Sequence, residues 1–228
     1  MDTLLAVVSN LGMLIPLGAF LYWRNLVKKK RIEGFRTTAE EMGLQFTEHA
    51  AAAYLSRYDR FRLFQQGNYR RITNLIEGDS GDVELQIFDY CYATTRGRKK
   101  KSQTQTIASL KSPQLNMPSF TIRPENLLLR IGSAMGMQDI DFDSHPKFSK
   151  MFEVTGEDEQ AIRNFLNPSV LDYFENHPGI SLEACGDTLF FYVPRQRVGP
   201  DEIKDLLSRA YEAYGVLTAE AEAECMLV

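Results

Sequence analysis

The first hydrophobic segment of the chain is long enough to cross a membrane. Residues 3–23 contain no charged side chain, and a group of cations follows them: Arg24, Lys28, Lys29, Lys30 and Arg31. About 20 helical residues cover the roughly 30 Å hydrocarbon core of a bilayer. The pattern therefore predicts a transmembrane anchor over residues 1–23, with the cations as its stop.

The cations also predict an orientation. Positively charged segments stay on the cytoplasmic side of a membrane, so the amino terminus is expected outside and the following domain in the cytoplasm. The alternative is a cleaved signal peptide, which needs basic residues ahead of a shorter apolar run and small residues behind it. Only Asp2 is charged ahead of the run, and large, charged residues follow Trp23. The sequence favours a retained single-pass anchor.

Beyond the anchor, helical and alternating patterns follow one another. Residues 24–43 predict the basic stop and a juxtamembrane helix that ends at Gly43, because glycine readily terminates helices. Alternating segments between residues 72 and 122 predict an antiparallel meander. Gly186 and Asp187 predict a two-residue turn between two later strands.

Two further patterns predict helix boundaries, and together the elements predict a fold class. Thr155 and Asp158 have the spacing of a capping box, and Gly215 is expected to stop the last helix. The order of elements predicts an α+β domain over residues 44–216, in which helices pack mainly on one face of an antiparallel sheet. Residues 217–228 are expected to form a disordered acidic tail.

Charge and cysteine content narrow the possible partners. The net charge is −4 with the basic stop included, so the remaining domain is more acidic still. Such a balance makes nucleic acid an unlikely partner. The three cysteines lie far apart without CxxC spacing, which favours reduced thiols.

An acidic motif offers the first candidate chemistry. Asp139, Asp141, Asp143 and His145 alternate with other residues, so an extended backbone would project all of them to one side, where a divalent cation could bind. Such a site would allow metal-assisted hydrolysis. In the alternative interpretation Ile140 and Phe142 enter the core while the carboxylates face water. The EF-hand spacing fails, and the sequence implies no other cofactor.

Asp89 is the second candidate. It follows Val83, Leu85 and Ile87 onto the apolar face of a predicted strand, where an ionised carboxylate needs a partner or a raised pKa. Perturbed carboxylates occur at functional sites and in structural ion pairs alike. Asp89 is therefore one candidate catalytic residue, and His145 of the acidic motif is the other. No histidine is near Asp89 in sequence.

A basic turn between two strands is the third candidate. It contains Arg96, Arg98, Lys99, Lys100 and Lys101. Each cation near an anionic leaflet contributes on the order of 1 kcal/mol of attraction. The turn could dock on anionic lipid headgroups, or it could simply discourage pairing between sheet edges.

The motifs together resemble a known group of proteins. The apolar segment with its basic stop, the Phe88-Asp-Tyr-Cys-Tyr92 strand, the basic turn and the Asp139–Pro146 motif resemble uncharacterised bacterial membrane-anchored proteins. The resemblance implies a bacterial inner-membrane location and no enzymatic activity. We therefore expect a membrane-tethered, non-catalytic binding or scaffold domain, whose partners are the bilayer, anionic headgroups or another membrane protein. The alternative is the metal-assisted hydrolase.

Overall fold

The computed structural model describes residues 2–96, 99–125 and 139–225, with side chains over 18–95, 100–125 and 139–219. The strands are β1 (Gln45–His49), β2 (Asn68–Ser80), β3 (Val83–Arg96), β4 (Lys99–Lys111), β5 (Met117–Pro124), β6 (Phe152–Gly156), β7 (Ser181–Gly186) and β8 (Thr188–Tyr192). The helices are α1 (Asp2–Glu41), α2 (Ala52–Arg57), α3 (Arg62–Gln65), α4 (Pro146–Met151), α5 (Glu159–Phe165), α6 (Pro168–Asn176) and α7 (Ile203–Cys225). A 3₁₀ turn at Pro200–Glu202 leads into α7.

The strands form one 8-stranded antiparallel sheet in the order β1-β2-β3-β4-β8-β7-β5-β6. Helices α1, α4, α5, α6 and α7 contribute to the core on one face of this sheet. Alternate residues of the strands supply the other side of that core, including Ile87, Leu110 and Leu182. The predicted α+β class with an antiparallel sheet is confirmed.

The opposite face of the sheet carries a second core beneath α2 and α3. Phe61, which precedes α3, and Phe64 of α3 pack on the strands. The ring of Phe61 stacks on Phe190 at 4.0 Å between centroids, and the ring of Phe64 stacks on Tyr90 at 4.1 Å. Because aromatic side chains bury large areas, these contacts hold α3 on the sheet.

Several predicted turns and caps are confirmed and two are corrected. Gly43 ends α1 with a φ of +69°, and Gly186 turns between β7 and β8 with a φ of +61°. The helix predicted to start at Thr155 instead starts after Asp158, whose carboxylate accepts the Ala161 N–H, because Thr155 belongs to β6. Helix α7 continues through Gly215 because Leu217 is buried in the core, which outweighs a glycine penalty of about 1 kcal/mol.

The predicted membrane anchor is not borne out. Among the residues with described side chains, no helix is long and apolar enough to cross a membrane. The part of α1 whose side chains are described begins at Gly18 and runs into the cations at Arg24 and at 28–31, which interrupt its apolar character. This finding contradicts the predicted single-pass location in the inner membrane with an outward amino terminus and a cytoplasmic domain.

Candidate binding surfaces

Asp89 lies in the main core and is completely buried. Arg31 of α1 donates to both of its oxygens, from Nε at 2.8 Å and from Nη2 at 2.7 Å. Arg197 Nη2 donates at 3.0 Å, Asn74 Nδ2 at 2.9 Å and the Thr106 hydroxyl at 2.8 Å. The carboxylate therefore makes five hydrogen bonds, which occupy its acceptor sites.

These contacts decide the charge state of Asp89. Burial by itself would raise the pKa of this carboxyl, but the hydrogen bonds and charge of Arg31 and the charge of Arg197 outweigh it and hold the pKa below its ordinary value. Asp89 is thus an ionised structural group that joins α1 to the sheet. Its surroundings offer no free lone pair for the catalytic role that the sequence suggested.

The residues of the acidic motif do not converge. Asp139 Oδ1 accepts the Val154 N–H at 2.9 Å, while Asp141 and Asp143 are exposed. The side chain of His145 turns to Ser144, and its Nε2 lies 3.5 Å from Asp172. In the part of the chain that the structure describes, no group of three or more histidine, cysteine or acidic side chains is arranged to hold a metal.

The local backbone explains why the motif disperses. Ile140 and Phe142 are buried, so the chain between them is fixed by the core rather than by a ligand. The Ile140 N–H donates to the Val154 carbonyl at 2.9 Å, which sets Asp139 against β6. The structure agrees with the alternative interpretation, in which the two hydrophobic residues fill the core. The proposed metal ligands Asp139, Asp141, Asp143 and His145 do not form a site.

The basic turn lies where β3 meets β4, since Arg96 pairs with Lys99 at the end of the ladder. Arg98 and the side chains of Arg96 and Lys99 lie outside the described residues. Lys100 and Lys101 are exposed, and Lys100 Nζ lies 3.4 Å from the ring centroid of Tyr69 on β2. Tyr69 is 73% exposed and has a φ of +55°, a conformation that is unfavourable for a bulky residue.

Further cations and apolar residues extend toward this end of the sheet. Arg71 is exposed on β2, and Lys29 and Lys30 are exposed on α1. We call the six residues Lys29, Lys30, Tyr69, Arg71, Lys100 and Lys101 the basic end. The exposed large hydrophobic side chains among the described residues are Tyr69 and a continuous part of α1: Phe20, Leu21, Tyr22, Trp23, Leu26 and Val27.

A cleft opens on the other face of the sheet, between α3 and the strands β5, β6 and β7. We call it the α3 cleft; its volume is about 110 Å³. Glu183 lies at its base and is 2% exposed. Oε2 of Glu183 accepts the Leu63 N–H at 3.0 Å, and Oε1 accepts the Tyr192 hydroxyl at 2.9 Å. Burial raises the pKa of Glu183 although both hydrogen bonds oppose the shift.

A larger cavity of about 270 Å³ lies nearby, below α2. Its charged groups are already paired with one another. Arg57 Nη1 lies 2.9 Å from Glu84, and Lys111 lies 3.3 Å from the same carboxylate. Arg60 lies 3.2 Å from Asp187. Every one of these charged groups therefore has a partner already, and two of the cations share the Glu84 carboxylate.

The architecture defines the class of protein: an α+β domain built on one antiparallel sheet with helices on both faces. No family model matches the chain, and no curated protein matches it. Among solved structures, it is similar to the crystal structure of the mycobacterial trehalose monomycolate transport factor A, TtfA, with a TM-score of 0.58 and 10% identity. The similarity covers 82% of this chain and 93% of that one, and at this identity it establishes the fold alone.

Proposed function

We propose that this protein is a non-catalytic binding domain that associates with anionic lipid surfaces through the basic end. One observation carries the proposal: unpaired cations, a strained exposed tyrosine and an exposed apolar helix segment all extend toward one end of the molecule. Strained residues persist where the surrounding structure holds them and are enriched at functional sites. Tyr69 combines such strain with exposure and with contact to a cation.

The direction of α1 supports this grouping. Arg31 contacts Asp89, whereas Leu44, just beyond the helix, packs on Gly78, which pairs with Leu85. Going toward its carboxyl end, α1 therefore moves away from the point where β3 meets β4. Its earlier residues, including Lys29 and the apolar segment at 20–27, extend in the opposite direction, toward the basic turn.

The charges of the basic end are available to a ligand. Among the described side chains, no carboxylate lies within 4 Å of Lys29, Lys30, Arg71, Lys100 or Lys101. At on the order of 1 kcal/mol for each cation, such a set would contribute about 5 kcal/mol of attraction to an anionic leaflet. That energy corresponds to a dissociation constant between the millimolar and micromolar ranges. Because the attraction is electrostatic, binding should depend strongly on salt.

The comparison is consistent with this proposal. The structurally similar TtfA is named as a transport factor for trehalose monomycolate, which is a lipid. The proposal extends only the contact with lipid to this chain. The metal-assisted hydrolase is not carried forward, because its four side chains point to different partners.

Co-sedimentation of the full chain with vesicles tests the proposal. We expect binding to phosphatidylglycerol-containing vesicles at about 50 mM salt, its loss at about 1 M salt, and no binding to pure phosphatidylcholine, because the Debye length falls from above 10 Å to about 3 Å. The test variant reverses the charge at Arg71, Lys100 and Lys101. The matched control reverses Lys147, Lys150 and Lys204, which are exposed elsewhere.

The two variants have the same net charge, so they separate a local surface from a general charge effect. The test variant should lose at least tenfold in vesicle affinity, while the control variant should change by less than threefold. Equal losses in both variants would contradict the proposed location. Salt-independent binding to neutral vesicles would contradict the electrostatic basis of the proposal.

A further inference from the structure

We infer that the α3 cleft binds a small oxyanion, a phosphate or carboxylate group, through the guanidinium of Arg62. This site lies on the opposite face of the sheet from the main core and does not depend on the basic end. Three elements converge on it: α3 supplies Arg62, β5 supplies Thr121, and β6 supplies Thr155. The register aligns these strand residues, since Thr121 pairs with both Thr155 and Glu183.

Arg62 is a half-buried cation without a counter-ion among the described residues. Its Nη1 donates to the Thr155 hydroxyl. No described carboxylate lies within 4 Å of it, although Arg31, Arg57, Arg60 and Arg123 all have one. A partly desolvated charge is unfavourable until an opposite charge accompanies it.

The neighbouring carboxylates are engaged with other groups. Glu153 forms an ion pair with Arg123 at 2.6 Å. Both oxygens of Glu183 are taken by Leu63 and Tyr192. Burial, followed by repulsion from Arg123, lowers the pKa of Arg62, although the charges of Glu153 and Glu183 oppose the shift.

The chemistry of the cleft fits an oxyanion. The planar guanidinium has several donors and matches carboxylate and phosphate oxygens in a bidentate manner. Ser119, Thr121 and Thr155 line the same cleft. The hydroxyls of Thr121 and Thr155 can donate to further oxygens, whereas the Ser119 hydroxyl donates to Cys185 Sγ at 3.2 Å. Glu157 also lines it but is exposed at the rim.

The size of the cleft restricts the ligand. Pockets for drug-sized molecules usually measure about 300–1,000 Å³, whereas the α3 cleft measures about 110 Å³. It therefore accommodates a single acid group, either as a free inorganic anion or as one end of a larger molecule. Phe61 and Phe120, which also line the cleft, are buried.

Isothermal titration of the full chain tests the inference, with inorganic phosphate, glycerol 3-phosphate, acetate and chloride as probes at matched ionic strength. Saturable binding of phosphate or acetate, with none of chloride, is the expected result. Tighter binding of phosphate or of acetate identifies the kind of oxyanion that the cleft prefers. Binding of glycerol 3-phosphate would show that the cleft accepts a phosphate ester as well as free phosphate. Absence of saturable binding by every oxyanion would overturn the inference.

Variants locate the binding. Arg62→Gln should weaken it at least tenfold, and Arg62→Lys should recover part of the affinity because it restores the charge without the fork. Arg57→Gln is the matched control, since Arg57 is paired with Glu84 outside the cleft. If Arg62→Gln does not fold, Thr155→Val replaces it and should weaken binding at least threefold. Unchanged affinity in the folded cleft variant would overturn the inference.

Discussion

Arg31 and Asp89 form a bidentate pair, with hydrogen bonds of 2.8 and 2.7 Å, between a helix and a strand that are 58 residues apart in sequence. Removal of one partner from a buried pair leaves the other charge uncompensated, which costs about 3–5 kcal/mol. We expect Asp89→Asn to lower the free energy of unfolding by about 3 kcal/mol. Urea denaturation at pH 7 measures the loss.

A surface pair provides the control for this substitution. Glu159 lies 2.7 Å from Arg163 on α5; Glu159 is exposed and Arg163 is partly exposed. Glu159→Gln should cost no more than about 0.5 kcal/mol because exposed helical pairs contribute little. A loss from Asp89→Asn as small as that of the control would show that the buried pair does not hold α1 to the sheet.

The pH dependence of the same residue has a definite sign. The pKa of Asp89 is lowered in the folded protein, so its stabilising contribution is present above the unfolded pKa and is lost as pH falls through the folded pKa. The difference in free energy of unfolding between the wild type and Asp89→Asn should therefore shrink as the pH falls below about 4. A difference that stays constant down to pH 2 would contradict this assignment.

Glu183 is expected to show the opposite dependence. Its pKa is raised on folding from 4.5, so the folded state binds more protons and stability falls as pH rises through the folded pKa. Glu183→Gln stays neutral, so its free energy of unfolding relative to wild type should be higher at pH 8 than at pH 4.5. Glu157→Gln, which removes an exposed carboxylate at the rim of the α3 cleft, is the matched control for the loss of a charge.

Gly67 supports the turn into β2 in a conformation that side chains avoid. Its φ is +63°, and an added Cβ would lie 2.5 Å from the Ala93 carbonyl oxygen. Gly67→Ala should therefore cost more than about 2 kcal/mol, the sum of the conformational penalty and a backbone clash. Gly81 has a φ of +60° in open space, so Gly81→Ala should cost only about 1 kcal/mol. Equal losses in urea denaturation would show that the clash relaxes freely.

Phe64 fixes α3 to the sheet, so its truncation should affect both stability and local order. Phe64→Ala should cost about 3–5 kcal/mol, and limited chymotrypsin digestion should become faster between Tyr58 and Phe64. Trp23, which is 61% exposed, provides a control, and Trp23→Ala should change stability by no more than about 0.5 kcal/mol. Unchanged digestion of the Phe64 variant would mean that α3 is held by its polar contacts.

The alternation of residues predicts the strands, but it does not predict that α3 covers one face of the sheet. Leu182 and Ala184 alternate with Ser181 and Glu183, which predicts β7 and places Glu183 on the face opposite Leu182. In the structure α3 covers that face, so Glu183 is buried. The segment from Tyr58 to Phe64 has no clear periodicity, so no pattern in the sequence predicts that it covers the sheet.

The role of Arg31 illustrates a second limit. It follows three lysines, and charge counting treats it as one more cation of a membrane stop. Its buried contact depends on Asp89 and Arg197, which are distant in sequence and meet only in the folded sheet. The strand pattern did predict that Asp89 needs a partner, but periodicity carries no information about which distant residue provides it.

The two proposed binding sites, the basic end and the α3 cleft, lie at different positions along the length of β3. Gln86 lies in the row of strand residues that leads through Ser109 and Phe190 to Glu183, at the base of the α3 cleft. Lys100, the member of the basic end that lies farthest along the ladder, pairs with Thr95, and from Gln86 to Thr95 the strand rises roughly 30 Å. A bilayer that meets the basic end at Lys100 is therefore too distant for a resident headgroup to enter the α3 cleft. An acid bound there has to arrive through water, or leave the membrane first.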